Sequence, residues 1–228
     1  MPTTRGPSPE PTAQARRVVR SLIGLYPTVR CALDHRDAFE LLVATVLSAQ
    51  CTDERVNQVT PALFARFPDA PGMAGADPAE VEPLVYRAGF FRAKARNLVG
   101  LSRILVERHG GSVPGNLEAL TALPGVGRKT AHVVLGNAFG IPSGVVVDTH
   151  VKRLAKRLGL TTRTEPEAIE RELGGLVPRK QWIDFSHRLI AHGRGTCGAL
   201  RPRCGDCALR DLCPRQGLRP VDRPDRPT

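Results

Sequence analysis

Apolar residues recur at three- and four-residue intervals along almost the whole chain, and this period restricts the fold more than any other feature of the sequence. Residues 13–26, 38–49, 53–67, 80–87, 92–108, 117–123, 128–139, 149–158, 166–176 and 181–192 each gather their apolar side chains on one helical stripe. Glycine and proline stand at the joints, among them Pro27, Pro68, Gly89, Gly110-Gly111, Pro124-Gly125, Gly159 and Pro178. The one strand-like run, residues 145–147, is too short to found a sheet. The fold class is therefore predicted to be all-α. With 228 residues, 41% of them apolar, the chain can bury one large core or two small ones. It has no run of about 18 apolar residues, so no membrane-spanning helix is expected. Residues 1–12 are rich in Pro and Thr and lack the apolar stretch of a secretory signal. They are expected to form a disordered lead-in, and residues 216–228 a disordered tail.

Lys and Arg outnumber Asp and Glu by 33 to 22, a formal charge of +11. Such an excess favours a polyanionic partner, most simply nucleic acid, although a merely soluble cationic protein shares the same balance. Lys94, Lys129, Lys152, Lys156 and Lys180 are the only lysines. The remaining cations are arginines, which hold phosphates well but stay protonated and so make poor nucleophiles. A lysine in a chemically pointed context therefore stands out.

Residues 117–139 read as helix, Leu-Pro-Gly-Val-Gly, helix. Pro124 ends the first helix, and Gly125 and Gly127 can adopt backbone angles closed to other residues. Exposed N–H groups in such a turn, followed at once by the positive end of a helix, make a phosphate site. Arg128 and Lys129 fall in the first turn of that helix, where its dipole disfavours a cation by about 0.3–1 kcal/mol. A solvated face leaves both cations unexplained. An arriving phosphate accounts for Arg128. For Lys129 there is a second use, because a neutral amine beside a sugar C1′ can displace a base and form a Schiff base.

Asp148 follows the apolar run and precedes the helix predicted over 149–158. The plain reading is an N-cap. The functional reading is a carboxylate that stabilises a cationic sugar as its glycosidic bond breaks and helps move the proton. Both can hold at once. Lys152, Arg153, Lys156 and Arg157 form a basic stripe on the same helix, suited to phosphates or equally to solvent.

Cys197-x6-Cys204-x2-Cys207-x5-Cys213 places four cysteines within 17 residues. In a chain without an export signal this clustering points to metal ligation in a reducing compartment rather than to disulfides. Only Cys204 and Cys207 form the short knuckle typical of zinc. The wider, unequal loops suit an iron–sulfur cubane better, with zinc left open by spacing alone. Cys31 and Cys51 stand apart and are read as buried thiols.

Together these residues resemble the endonuclease III family of DNA glycosylases. Leu123-Pro-Gly-Val-Gly-Arg-Lys-Thr-Ala131, Val147-Asp-Thr-His150, Leu47-Ser-Ala-Gln-Cys-Thr-Asp53 and the 6-2-5 cysteine spacing match in the family's order. Cys51 departs, standing where a small residue is familiar. The resemblance implies the helix–hairpin–helix DNA glycosylase fold, with a cleft between two domains. Residues 31–142 would be a six-helix barrel domain, and residues 13–30 with 143–215 an iron–sulfur domain. It further implies a 4Fe–4S cluster on the four cysteines, Lys129 as nucleophile and Asp148 as catalytic carboxylate facing it. Gln50 would fill the gap left by an extruded nucleotide, and His150 would order the site near Asp148. The family inserts a leucine into the opposite strand where this chain reads Ala88-Gly-Phe-Phe-Arg92. Phe90 aligns best, with Phe91 the alternative, and either can serve as an apolar wedge.

The activity implied is excision of oxidised pyrimidines from duplex DNA, with nicking of the abasic site by β-elimination. The protein would act as a monomer in the cytoplasm, at the nucleoid. A thymine- or adenine-mismatch glycosylase of the same fold is a rival, set apart by the lysine at 129. The adenine branch is also expected to carry a further C-terminal domain, whereas this sequence stops some 15 residues after Cys213. A non-catalytic, metal-stapled DNA-binding module is the rival from another class.

Overall fold

The structure is a computed structural model that describes residues 13–218. Among the described residues there are eleven α-helices and no strand. Two compact units divide the chain. One is Cys31–Ser143; the other joins the segment ending at Arg30 to the segment that starts at Gly144.

The continuous unit is built round α2 (Ala38–Leu47), in which every residue from Phe39 to Leu47 is buried. A helix apolar on all sides belongs at the centre of a core. Its one carboxylate, Glu40, is only 2% exposed. The penalty is met locally, since Arg36 donates to it from both its backbone N–H and its Nε, each at 2.7 Å. Asp37 caps the helix by accepting from the Glu40 N–H at 2.9 Å. Around it lie α3 (Asp53–Arg66), α4 (Ala70–Ala74), α5 (Pro78–Val85), α6 (Phe91–His109), α7 (Leu117–Thr121) and α8 (Arg128–Phe139). α4 and α5 pack on α6, and α8 packs on α2. α4 has no counterpart among the sequence expectations. Five residues containing Pro71 and Gly72 carry no readable period, yet Ala70 and Met73 are buried and Asp69 caps the turn. α5 begins two residues earlier than expected because Asp77 accepts from the Ala79 N–H and Pro78 suits the first helical position. α2 stops at Leu47 rather than 49, since Thr52 must take extended angles to cap α3.

The discontinuous unit holds α1 (Ala13–Leu25), α9 (Thr149–Arg157), α10 (Pro166–Leu176) and α11 (Trp182–Gly195), with α11 packed on both α1 and α9. Val18, Leu22, Val151, Leu154, Leu173, Phe185 and Leu189 form its core. Residues 145–147 form no strand; Val145 is buried and the Val146 N–H donates to Ser186 Oγ at 3.0 Å. Residues 216–218, expected to belong to a disordered tail, are ordered. The Gln216 N–H donates to the Arg157 carbonyl and Leu218 is buried against the cysteine loops, so apolar burial orders this stretch. Residues 219–228, and the lead-in over 1–12, lie outside the described residues. Among the described residues no helix is long and apolar enough to cross a membrane.

Candidate functional site

In the continuous unit, the turn between α7 and α8 is anchored by its apolar residues. Leu123 and Val126 are buried, and the Val126 N–H donates to the Leu123 carbonyl at 3.1 Å. Gly125 has φ +76°, and a Cβ there would lie 2.7 Å from Asn97 Nδ2. Glycine is thus required both by the backbone and by the close approach of α6. Gly127 differs from expectation: its φ of −89° is open to any residue, and a Cβ there would meet nothing within 4 Å. The fold therefore does not need glycine there. Gly127 also supplies no side-chain cap to α8, whereas Asp37, Thr52 and Asn116 cap α2, α3 and α7. This turn stands at the positive end of a twelve-residue helix. Arg128 and Lys129 are exposed at this end.

Gln50 and Phe90 sit on two other turns of the same unit. Both take left-handed backbone angles, φ 55° and 48°, uncommon for residues with a side chain. Gln50 is exposed and Phe90 is 65% exposed, a large value for an aromatic ring. Phe91 is instead half-buried, its ring 4.9 Å from that of Tyr86 with the Arg92 guanidinium 5.2 Å over it. A groove of about 660 Å³ runs between the turns, with Gln50, Thr52 and Arg55 on one wall and Arg87, Gly89 and Phe91 on the other. Arg55 and Arg87 were not singled out by sequence; two arginines among 28 carry no local signal. Cys31 and Cys51 are half-buried rather than buried, each packed at the margin of the core.

In the discontinuous unit, Asp148 is the N-cap of α9, its Oδ1 accepting from the Val151 N–H at 2.7 Å. The side chain is half-buried and its position is held by this bond. His150 lies against α11, where a Cβ at Gly193 would stand 2.8 Å from its Nδ1. Arg153 Nη2 is 3.2 Å from the same nitrogen, and the ring also hydrogen-bonds the Gly193 backbone. Burial lowers the His150 pKa, with Arg153 and Arg194 adding to the fall, while Asp148 and a backbone hydrogen bond to Gly193 pull it up. The neutral ring is thus favoured.

The basic stripe of α9 divides. Lys152 and Lys156 are exposed, but Arg157 is buried and Arg153 half-buried, and both bond to carbonyls of the protein. Arg153 donates to the carbonyls of Gly193 and Cys197, both at 3.0 Å. Arg157 is 8% exposed and donates to Cys197 Sγ at 3.3 Å and to the carbonyls of Gly198 and Ala199 at 2.7 and 2.8 Å. Sequence spacing could not separate the inward from the outward pair, because their partners lie some 40 residues away.

Cys197, Cys204, Cys207 and Cys213 are half-buried, outside any disulfide, and line one enclosed cavity with Leu154, Leu209 and His192. Among the described residues no group of three or more His, Cys, Asp or Glu is placed to hold a metal ion, although the four cysteines line one cavity. His192 Nε2 is 3.5 Å from Cys207 Sγ, and its Nδ1 is 3.0 Å from Tyr26 Oη. Burial pushes the Cys207 and Cys213 thiols up, and the neighbouring cysteines add to it. Crowded thiols of this kind become thiolates when a cationic centre binds between them, so the donor set fits a thiolate-bound centre.

The continuous unit thus carries a glycine turn with exposed cations at a helix start, and the discontinuous unit a four-thiol cavity. A family model described as "HhH-GPD superfamily base excision DNA repair protein" matches residues 43–179. Endonuclease III of Synechocystis sp. is 55% identical over 201 residues, 88% of this chain and 92% of that one. A solved non-covalent endonuclease III–DNA complex is 40% identical, with a TM-score of 0.85 over 89% of this chain and 94% of that one. A trapped endonuclease III–DNA covalent intermediate gives the same identity and TM-score, covering 89% and 95%. The chain belongs to the HhH-GPD superfamily of base excision DNA repair proteins and, within it, to the endonuclease III family.

Proposed function

We propose that this protein is a bifunctional DNA glycosylase and AP lyase that removes oxidised pyrimidines from duplex DNA and nicks the resulting abasic site. One observation carries the reading. Lys129 is exposed in the first turn of α8, directly after the glycine turn, in a family with a member trapped covalently on DNA.

The hairpin binds first. The N–H groups round Gly125 and Gly127, with Arg128, take the phosphates beside the lesion. Gln50 fills the space of the extruded nucleotide and Phe90 wedges the opposite strand; exposure favours Phe90 over Phe91 for that role. The Lys129 amine attacks C1′, the C1′–N bond breaks, and the base leaves with a proton. Asp148 stabilises the positive sugar and moves the proton, while neutral His150 steadies its surroundings. Ring opening gives the Schiff base. Loss of a C2′ proton and of the 3′ phosphate then cuts the strand, and water releases Lys129.

Cys197, Cys204, Cys207 and Cys213 would hold a 4Fe–4S cluster, with Arg157 and His192 beside the sulfurs. When bound, such a cluster staples the loops from 197 to 213. We place the protein at double-stranded DNA in the cytoplasm, as a monomer.

Incubation with abasic-site duplex and borohydride tests the reaction. A covalent adduct is expected with the wild type and not with Lys129→Ala. Base release without any adduct in the wild type would turn the reading to a monofunctional mismatch glycosylase, and neither to a binding module.

A further inference from the structure

Lys94 takes no part in the reaction above, yet among the described residues it is the one lysine whose side chain lies in a core. It is 5% exposed, and its ammonium donates to the carbonyls of Leu47, Ala49 and Ala88, each at 2.8 Å. These three bonds use all of its donors. Burying a cation is costly even when it is fully hydrogen-bonded, and burial pushes the Lys94 ammonium below its ordinary value. A leucine or methionine would fill the space without that cost. The charge therefore serves something that packing alone does not.

What it serves is visible in the three acceptors. Leu47 ends α2 and Ala49 lies just past it, where carbonyls lack helical partners and a cation suits the negative end of the helix. Ala88 ends the single 3-10 turn that follows α5. The peptide of Ala49 leads into Gln50, and that of Ala88 into Gly89 and Phe90. All three following residues have positive φ, 55°, 72° and 48°. A left-handed angle is strained for Gln50 and Phe90, and such strain persists only where neighbours hold it. Both side chains point outward, and neither caps a helix by a side-chain bond. The Lys94 ammonium joins the Ala88 turn, 6 residues away in sequence, to the Ala49 turn, 45 residues away.

We propose that Lys94 is a positioning residue that locks the Gln50 and Phe90 turns together, so that the gap-filling side chain and the wedge meet duplex DNA as one preformed unit. This rests on the roles given to Gln50 and Phe90 above. Lys94 itself touches neither substrate nor the reacting atoms. A duplex substrate needs both turns, because its lesion must be extruded and its partner strand held apart. A single-stranded abasic oligonucleotide needs only the amine of Lys129.

The test compares Lys94→Met and the milder Lys94→Gln with the wild type on these two substrates. Single-turnover excision from lesion duplex should fall by about ten- to a hundredfold, the scale of a misplaced contact. The fluorescence rise of 2-aminopurine placed opposite the lesion should shrink with it. Borohydride trapping on the single-stranded abasic oligonucleotide should stay within about twofold. Excision at the wild-type rate, or equal losses on both substrates, overturns the proposal. Should Lys94→Met fail to fold, Lys94→Gln is read in a Gln50→Ala/Phe90→Ala background. There it should cost less than about twofold more, and a full additive loss overturns the proposal. A wild type that traps on neither substrate refutes instead the reaction assigned to Lys129.

Discussion

Replacing Asp148 by asparagine separates the two jobs its carboxylate is given. As the cap of α9 it accepts one bond, from the Val151 N–H at 2.7 Å, and asparagine caps as well as aspartate. The negative charge at a helix start adds about 0.3–1 kcal/mol. Asp148→Asn should therefore lower the unfolding midpoint by no more than about 2–4 °C. Asp148→Ala also loses the cap, a further 1 kcal/mol or so. A carboxylate that stabilises the developing sugar cation contributes about 2.7–4 kcal/mol, or 10²–10³ in rate. Single-turnover base release at saturating enzyme should then fall by that factor in both variants, while DNA affinity changes little. His150 provides a second readout. Asp148 pulls its pKa up against the effect of burial, so the imidazole should titrate lower still in Asp148→Asn. If Asp148→Asn excises at the wild-type rate, or if rates across the two variants simply follow their midpoints, Asp148 is a cap and nothing more.

The two glycines of the hairpin should respond in opposite ways. Gly125→Ala meets φ +76° and Asn97 at 2.7 Å, and should cost upward of about 1–2 kcal/mol in a denaturant titration. Gly127→Ala meets neither and should leave stability unchanged while weakening binding to undamaged duplex; unchanged affinity would show that no phosphate approaches that backbone. The purified protein should carry about four irons and four sulfides per chain, with visible absorption that disappears in Cys204→Ser. One equivalent of zinc would refute the cluster.

Much of this molecule was legible along the chain because helical packing leaves a local record. The period of apolar residues marks which stripe of each helix is buried, so α1, α3, α6, α8, α9 and α10 lie within a residue or so of where their stripes begin and end. The Leu-Pro-Gly-Val-Gly turn and the four cysteines are equally local, each a run of neighbours whose chemistry needs close spacing. Where the period is cut short, as in α4, the record fails.

What only the tertiary structure decided are the choices made by partners distant in sequence. Arg153 and Arg157 share a stripe with Lys152 and Lys156, and only the carbonyls and sulfur of a loop some 40 residues away turn the first pair inward. Phe90 and Phe91 are identical as residues, and Tyr86 and the core select which one is covered. Lys94 reads as one more cation on an amphipathic helix. Its burial depends on three carbonyls from two turns, and no local pattern encodes a bond that the fold itself must first bring within reach.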